Sequence, residues 1–254
     1  MVDEPCVGGR QYVFVQSRFD ITRPRESDGA LDGFDLDGTS EPVCRQHDFV
    51  SPRGEEGIDN QLAGLLVSFE ELTGSDLAAL ANDSRLAGER LDVYVIDHVD
   101  DLSNDGCVSV QFRQGRVPAG EPPRDYLDAD GDGRIDAGLR LDYNSPSSTD
   151  PSACIQNGVL RARPDQTRIL LGDPSTATQI ERARVRFDVA EDGLTNGLFG
   201  GSVTVDSATT MVGEDLGRVV QASADLDFDG ERCRSLSFSF AFEAVPAELG
   251  ELRL

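Results

Sequence analysis

The chain has 254 residues, long enough to bury a real core, but 47 acidic against 23 basic residues leave a net charge of −24. Such a field repels phosphate backbones and anionic membrane surfaces and attracts divalent cations and basic partners, which argues against nucleic acid. No apolar run reaches the roughly 18 residues of a membrane span.

Every basic residue is Arg and Asp outnumbers Glu about two to one. A GC-rich genome accounts for the missing Lys, while excess Asp also fits turns and metal loops. The opening Met1-Val2-Asp3-Glu4-Pro5-Cys6 lacks the basic and apolar regions of an export signal. Two readings follow: a cytoplasmic chain, or an exported one from which the signal has been removed. Five widely spaced cysteines (Cys6, Cys44, Cys107, Cys154, Cys233) favour the second, with a secreted or cell-surface location. One or two disulfides with an odd cysteine are expected. Their connectivity stays open, and Cys6 is a candidate for the odd one.

Tyr12-Val13-Phe14-Val15, continuing through Phe19 and Ile21, reads as a strand. A loop dense in Asp, Gly, Pro and Ser runs from Asp28 to Gly57. Leu62, Leu65, Leu66, Phe69 and Leu72 then fall on one helical face, with Asp59 as N-cap and Gly74 as stop. Ser75 can cap a second, shorter helix through Leu80. Alternation predicts a hairpin of 91–97 with 107–113, and further strands over 158–163, 167–171, 183–190, 202–206 and 235–244. The fold class is therefore α+β and mostly β. A single domain over 1–254 is expected, with a β-sandwich or jelly-roll-like body and a small helical insertion near 59–82.

The strongest chemical signal lies at Asp128-Ala129-Asp130-Gly131-Asp132-Gly133-Arg134-Ile135-Asp136. Ca²⁺ takes six to eight oxygens, and a tight loop supplies them from alternate residues. Asp128, Asp130 and Asp132 would give side chains, Arg134 its carbonyl, and Asp136 a direct or water-mediated ligand. Gly133 permits the turn, and Ile135 can anchor the loop in the core. The pattern resembles the D-x-D-x-D-G-x-x-D loops of thrombospondin type 3 repeats, integrin alpha-chain propellers and dockerins. Over these nine residues the resemblance implies a calcium site. Leu139 replaces the bidentate Glu of an EF-hand, and Pro122-Pro123 argue against two framing helices.

Two other segments echo this one. Asp35, Asp37, Asp48 and Asp59 form a second candidate metal or ligand site, with plain turn chemistry as the alternative. Asp225-Leu226-Asp227-Phe228-Asp229-Gly230 reads as an acidic edge strand ending in a turn, since Cys233 stands where a ninth-position acid would be. More broadly, Gly33–Gly38, Gly57–Gln61 and Cys233–Ala247 are similar to segments of uncharacterised secreted proteins and lipoproteins of myxobacteria-like bacteria. That resemblance implies export and no activity.

Enzyme signals are poor. His47 and His98 are the only histidines, Cys44-x-x-His47 lacks further soft ligands, and no nucleophile elbow or phosphate loop occurs. The expected function is a calcium-binding protein with a structural, adhesive or partner-docking role. The alternatives are a calcium-dependent polysaccharide hydrolase or lyase, and a lectin-like carbohydrate-binding module; absent Trp and four Tyr argue against sugar stacking.

Overall fold

Alternating apolar residues need a covered face, and here most of the sheet is rolled around its own. The computed structural model describes residues 6–41, 44, 46–164, 168–170, 177–212 and 214–253. The opening Met1–Pro5 and the ends of the strand expected over 167–171 lie outside them. The strands are β1 (Arg10–Ile21), β2 (Leu91–Val99), β3 (Asn104–Arg116), β4 (Leu139–Tyr143), β5 (Ser148–Gln156), β6 (Val159–Ala162), β7 (Arg168–Leu170), β8 (Ala177–Gln179), β9 (Glu181–Ala190), β10 (Gly193–Thr204) and β11 (Ser235–Leu252). The helices are α1 (Gln61–Thr73), α2 (Leu77–Leu86), α3 (Pro123–Leu127), α4 (Val205–Val212) and α5 (Gly217–Ser223).

Strands β1, β2, β3, β5, β6, β9, β10 and β11 pair in that order, each antiparallel to the next, and β11 returns to β1. The body is a closed eight-stranded barrel, not the sandwich or jelly roll expected. Closure rests on the β1–β11 register, from Phe14↔Pro246 to Ile21↔Phe240, and pairing so distant in sequence leaves no local pattern. Strand β4 fills a corner, parallel to the far end of β11 and touching the end of β3. The hairpin of β7 and β8 stands outside the ring.

Eight strands leave a bore that side chains can fill. Phe14, Tyr94, Phe112, Phe187 and Phe242 meet inside, with Tyr94 and Phe242 stacked at 5.1 Å between ring centroids. At Gly197 a Cβ would lie 2.5 Å from the Phe242 carbonyl oxygen, so the bulge in β10 requires glycine there. Outside the barrel, Val15, Leu91, Val93 and Val95 are covered by Leu86, Leu127, Ile135 and Leu141. A third cluster joins Val203, Leu236 and Phe238 to Ala208 and Val220 from α4 and α5.

Helix α1 ends at Gly74 in the left-handed conformation, as predicted, but Asp59 does not cap it. Asn60 precedes the helix and is fully buried, where it ties three segments together. Its side-chain amide donates to Thr22 Oγ1 and to the Asp32 carbonyl, and its oxygen accepts the Ser239 N–H. Asp76, not Ser75, caps α2 by accepting the Ala79 N–H, and α2 runs on to Leu86. The strand expected over 202–206 is the tail of β10, and Val205 already opens α4.

Candidate metal centre

The loop from Asp128 to Asp136 lies between α3 and β4 and is clamped to the barrel wall. One helical turn precedes it, despite the prolines: Pro123 occupies the first turn, where its missing N–H costs nothing. Ile135 is 2% exposed among Val15, Leu127 and Leu141, the anchoring role its apolar side chain suggested. The Gly138 N–H donates to the Pro246 carbonyl at 2.7 Å, and the Arg134 guanidinium pairs with Glu243 of β11 at 2.9 Å. The side chain of Arg134 thus leads away from the loop, leaving only its backbone as a candidate ligand.

Between these clamps the chain turns through Gly131 and Gly133, at φ of 76° and 82°. Carboxylate oxygens of Asp128, Asp130 and Asp132 come within 4.8 Å of one another. Asp128 is half-buried and accepts the Gly133 N–H, while Asp130 and Asp132 accept those of Asp132 and Arg134. Asp136 stands outside the group and accepts the Ala129 N–H at 2.8 Å. A groove of about 340 Å³ opens beside the loop, lined by Asp132, Arg134, Asp136, Asp192, Thr195 and Glu243, among others.

The early loop assembles a second group. Oxygens of Asp35, Asp37 and Asp59 also lie within 4.8 Å of one another. Asp59 is 1% exposed and accepts the Leu36 N–H at 2.6 Å. Burial, reinforced by the charges of Asp225, Asp37 and Asp48, pushes its carboxyl up to about 8. Asp48 is not within the group of three. One of its oxygens is buried without a partner among the described residues, and its carboxyl is raised by burial and by Asp37 and Asp35.

Sequence reasoning missed Asp225 as a member of this neighbourhood. It accepts both the N–H and the hydroxyl of Ser237, and burial pushes it up to about 7. The 225–229 segment is no edge strand, only a single bridge of Leu226 to Ser235. Its other acids face different partners, Asp227 pairing with Arg182 and Asp229 with Arg234.

Cys6 bonds to Cys107 and Cys44 to Cys233, leaving Cys154 as the free cysteine among the described residues. Cys6 is therefore not the odd one, and Cys44 is withdrawn from any zinc site with His47. His98 sits on a strand at φ 67°, its Nδ1 in hydrogen-bonding contact with the Gly8 carbonyl oxygen at 3.0 Å. The chain matches no protein-family model, no curated protein and no solved structure at a significant level.

Proposed function

We propose that this protein is a calcium-binding domain of the secreted or cell-surface class, in which the ion stiffens residues 124–143 for a structural, adhesive or partner-docking role. The observation that carries the reading is the convergence of Asp128, Asp130 and Asp132 on a loop whose Ile135 is already buried. Hard oxygen donors from alternate residues suit Ca²⁺, and Arg134 and Asp136 would complete the set. Two disulfides are compatible with an oxidising compartment.

A second cation at Asp35, Asp37 and Asp59, with Asp48 beside them, belongs to the same reading. There the buried Asp59 carboxyl, raised to about 8, keeps a proton that a cation would displace. The docking role is supported by the adjoining groove, because Asp132 belongs to both groove and metal group. The same feature favours, as the second reading, a lectin-like module in which calcium meets sugar hydroxyls at the groove.

Calorimetric titration of the calcium-free protein tests the assignment. Calcium is expected to bind more tightly than magnesium, which demands a small octahedron and gives up water reluctantly. Asp132→Ala is expected to lose the binding, and Arg134→Ala to leave the affinity within a few-fold. No saturable calcium binding would reject the proposal.

A further inference from the structure

One face of the barrel runs against the charge of the whole chain. On β9, Ala183, Val185 and Phe187 are buried and alternate with Arg182, Arg184 and Arg186 on the other face. Strand β6 places Arg161 directly opposite Arg186, and Arg163 follows two residues later. Like charges directly across a sheet are destabilising, so the arrangement needs compensation.

The compensation present is incomplete. Arg182 pairs with Asp227 at 2.6 Å. Arg186 is 9% exposed and reaches Asp32 only at 3.5 Å and Glu55 only at 3.9 Å; among the described residues its buried Nε has no partner. Arg184 donates to main-chain carbonyls of Arg182 and Ala183. Asp150 spends its carboxylate on the backbone N–H groups of Ser152 and Arg163. Among the described residues, Arg53, Arg161 and Arg163 form no ion pair. Burial lowers the Arg184 and Arg186 guanidiniums below the usual arginine range, and repulsion adds to it: from Arg163 and Arg182 on the first, from Arg53 and Arg161 on the second.

We propose that Arg161, Arg163, Arg184 and Arg186, with Arg53 on the loop beside them, bind a tetrahedral dianion, a phosphate or sulfate group. Guanidinium forks offer paired N–H donors to neighbouring oxygens of one anion. A dianion answers several of these charges at once, whereas, of these arginines, the single carboxylates of Asp32 and Glu55 reach only Arg186. The surrounding negative field makes this face the place where an anion can land.

The test is calorimetric titration of the full chain in EDTA at low ionic strength, with sodium phosphate, sodium sulfate and sodium chloride of matched ionic strength. EDTA separates the result from the calcium assignment. Phosphate and sulfate are expected to bind saturably, one per chain. Arg161→Gln with Arg184→Gln should weaken binding about tenfold or more, and Arg116→Gln, exposed on β3, should not. A sulfated polysaccharide binding more tightly than free sulfate assigns the group to a polymer; equal or weaker binding assigns the free ion.

Cys154 lies directly across from Arg161 and reports the location. Its alkylation by a neutral reagent should slow at saturating sulfate. Heats no larger than those of chloride, or an unchanged affinity in the double variant, would overturn the proposal. Should that variant not fold, the wild-type protection experiment decides, and an unchanged alkylation rate at saturating sulfate would overturn it.

Discussion

The Asp136 carboxylate accepts the Ala129 N–H at 2.8 Å, closing the acidic loop across its own mouth with a bond that needs no ion. Asp136 therefore ties the two ends of the loop together, whereas Asp130 accepts only the local N–H of Asp132, two residues on. Asp136→Ala is expected to lower stability in EDTA by about 1.5–3 kcal/mol, the range for a hydrogen bond to a charged group. Asp130→Ala should lose less in EDTA, because the bond to the Asp132 N–H is local and spans only two residues. Urea unfolding of both variants checks this, and equal losses would contradict it.

The disulfides make a second prediction. Thiol titration of the denatured, unreduced protein should find one free cysteine, Cys154. The Cys44–Cys233 bond spans 189 residues, and Cys44→Ser with Cys233→Ser is expected to cost about 3–5 kcal/mol, because a long loop is released in the unfolded chain. Three or five free thiols would contradict the pairing.

The chemistry most legible in the sequence was local. Three carboxylates in five residues, a glycine turn and an apolar anchor all lie within one loop, so the convergence of Asp128, Asp130 and Asp132 could be anticipated. The strand alternation was equally local. Barrel closure was not, because β1 and β11 pair across nearly the whole chain. Sequence distance also hid Asp225 near Asp59, and Arg161 stands opposite Arg186 through a pairing of β6 with β9 that passes over β7 and β8. Asp59 was misread as a cap for a different reason: any Asp before a helix offers an acceptor, and only the fold shows Leu36 claiming it.

The barrel itself is testable at β10. Gly197→Ala would press a methyl group onto the Phe242 carbonyl and ring, at 2.5 and 2.7 Å. Overpacking of this kind costs about 1–3 kcal/mol, and the unfolding midpoint should fall accordingly. An alanine tolerated without loss would contradict the close β10–β11 approach.

Stability should also depend on pH through the two buried carboxyls. Asp59 and Asp225 are raised from an ordinary 3.8 to about 8 and about 7, while in the unfolded chain they ionise near 3.9, about the model-peptide value. The folded state therefore holds protons that the unfolded state releases. Their stabilising contribution is complete below about pH 4 and is lost as pH rises through 7 and 8. Urea unfolding in EDTA should show this loss from pH 5 to 8.5, and Asp225→Asn should flatten it. An unchanged slope in the variant would contradict the assignment.

Calcium is proposed to bind the folded chain through the loop at Asp128. Without the ion, clustered carboxylates repel; with it, the repulsion is removed and the binding energy adds to folding, because the unfolded chain cannot hold the ligands together. At a calcium level 100 times the dissociation constant, linkage gives about 2.7 kcal/mol. In a chain of this size that raises the melting temperature by several degrees. The measurement is a thermal melt in EDTA and then in millimolar calcium, for wild type and Asp130→Ala. Wild type is expected to gain several degrees and Asp130→Ala to lose most of that rise; superimposable wild-type curves in EDTA and calcium would refute calcium binding at the loop.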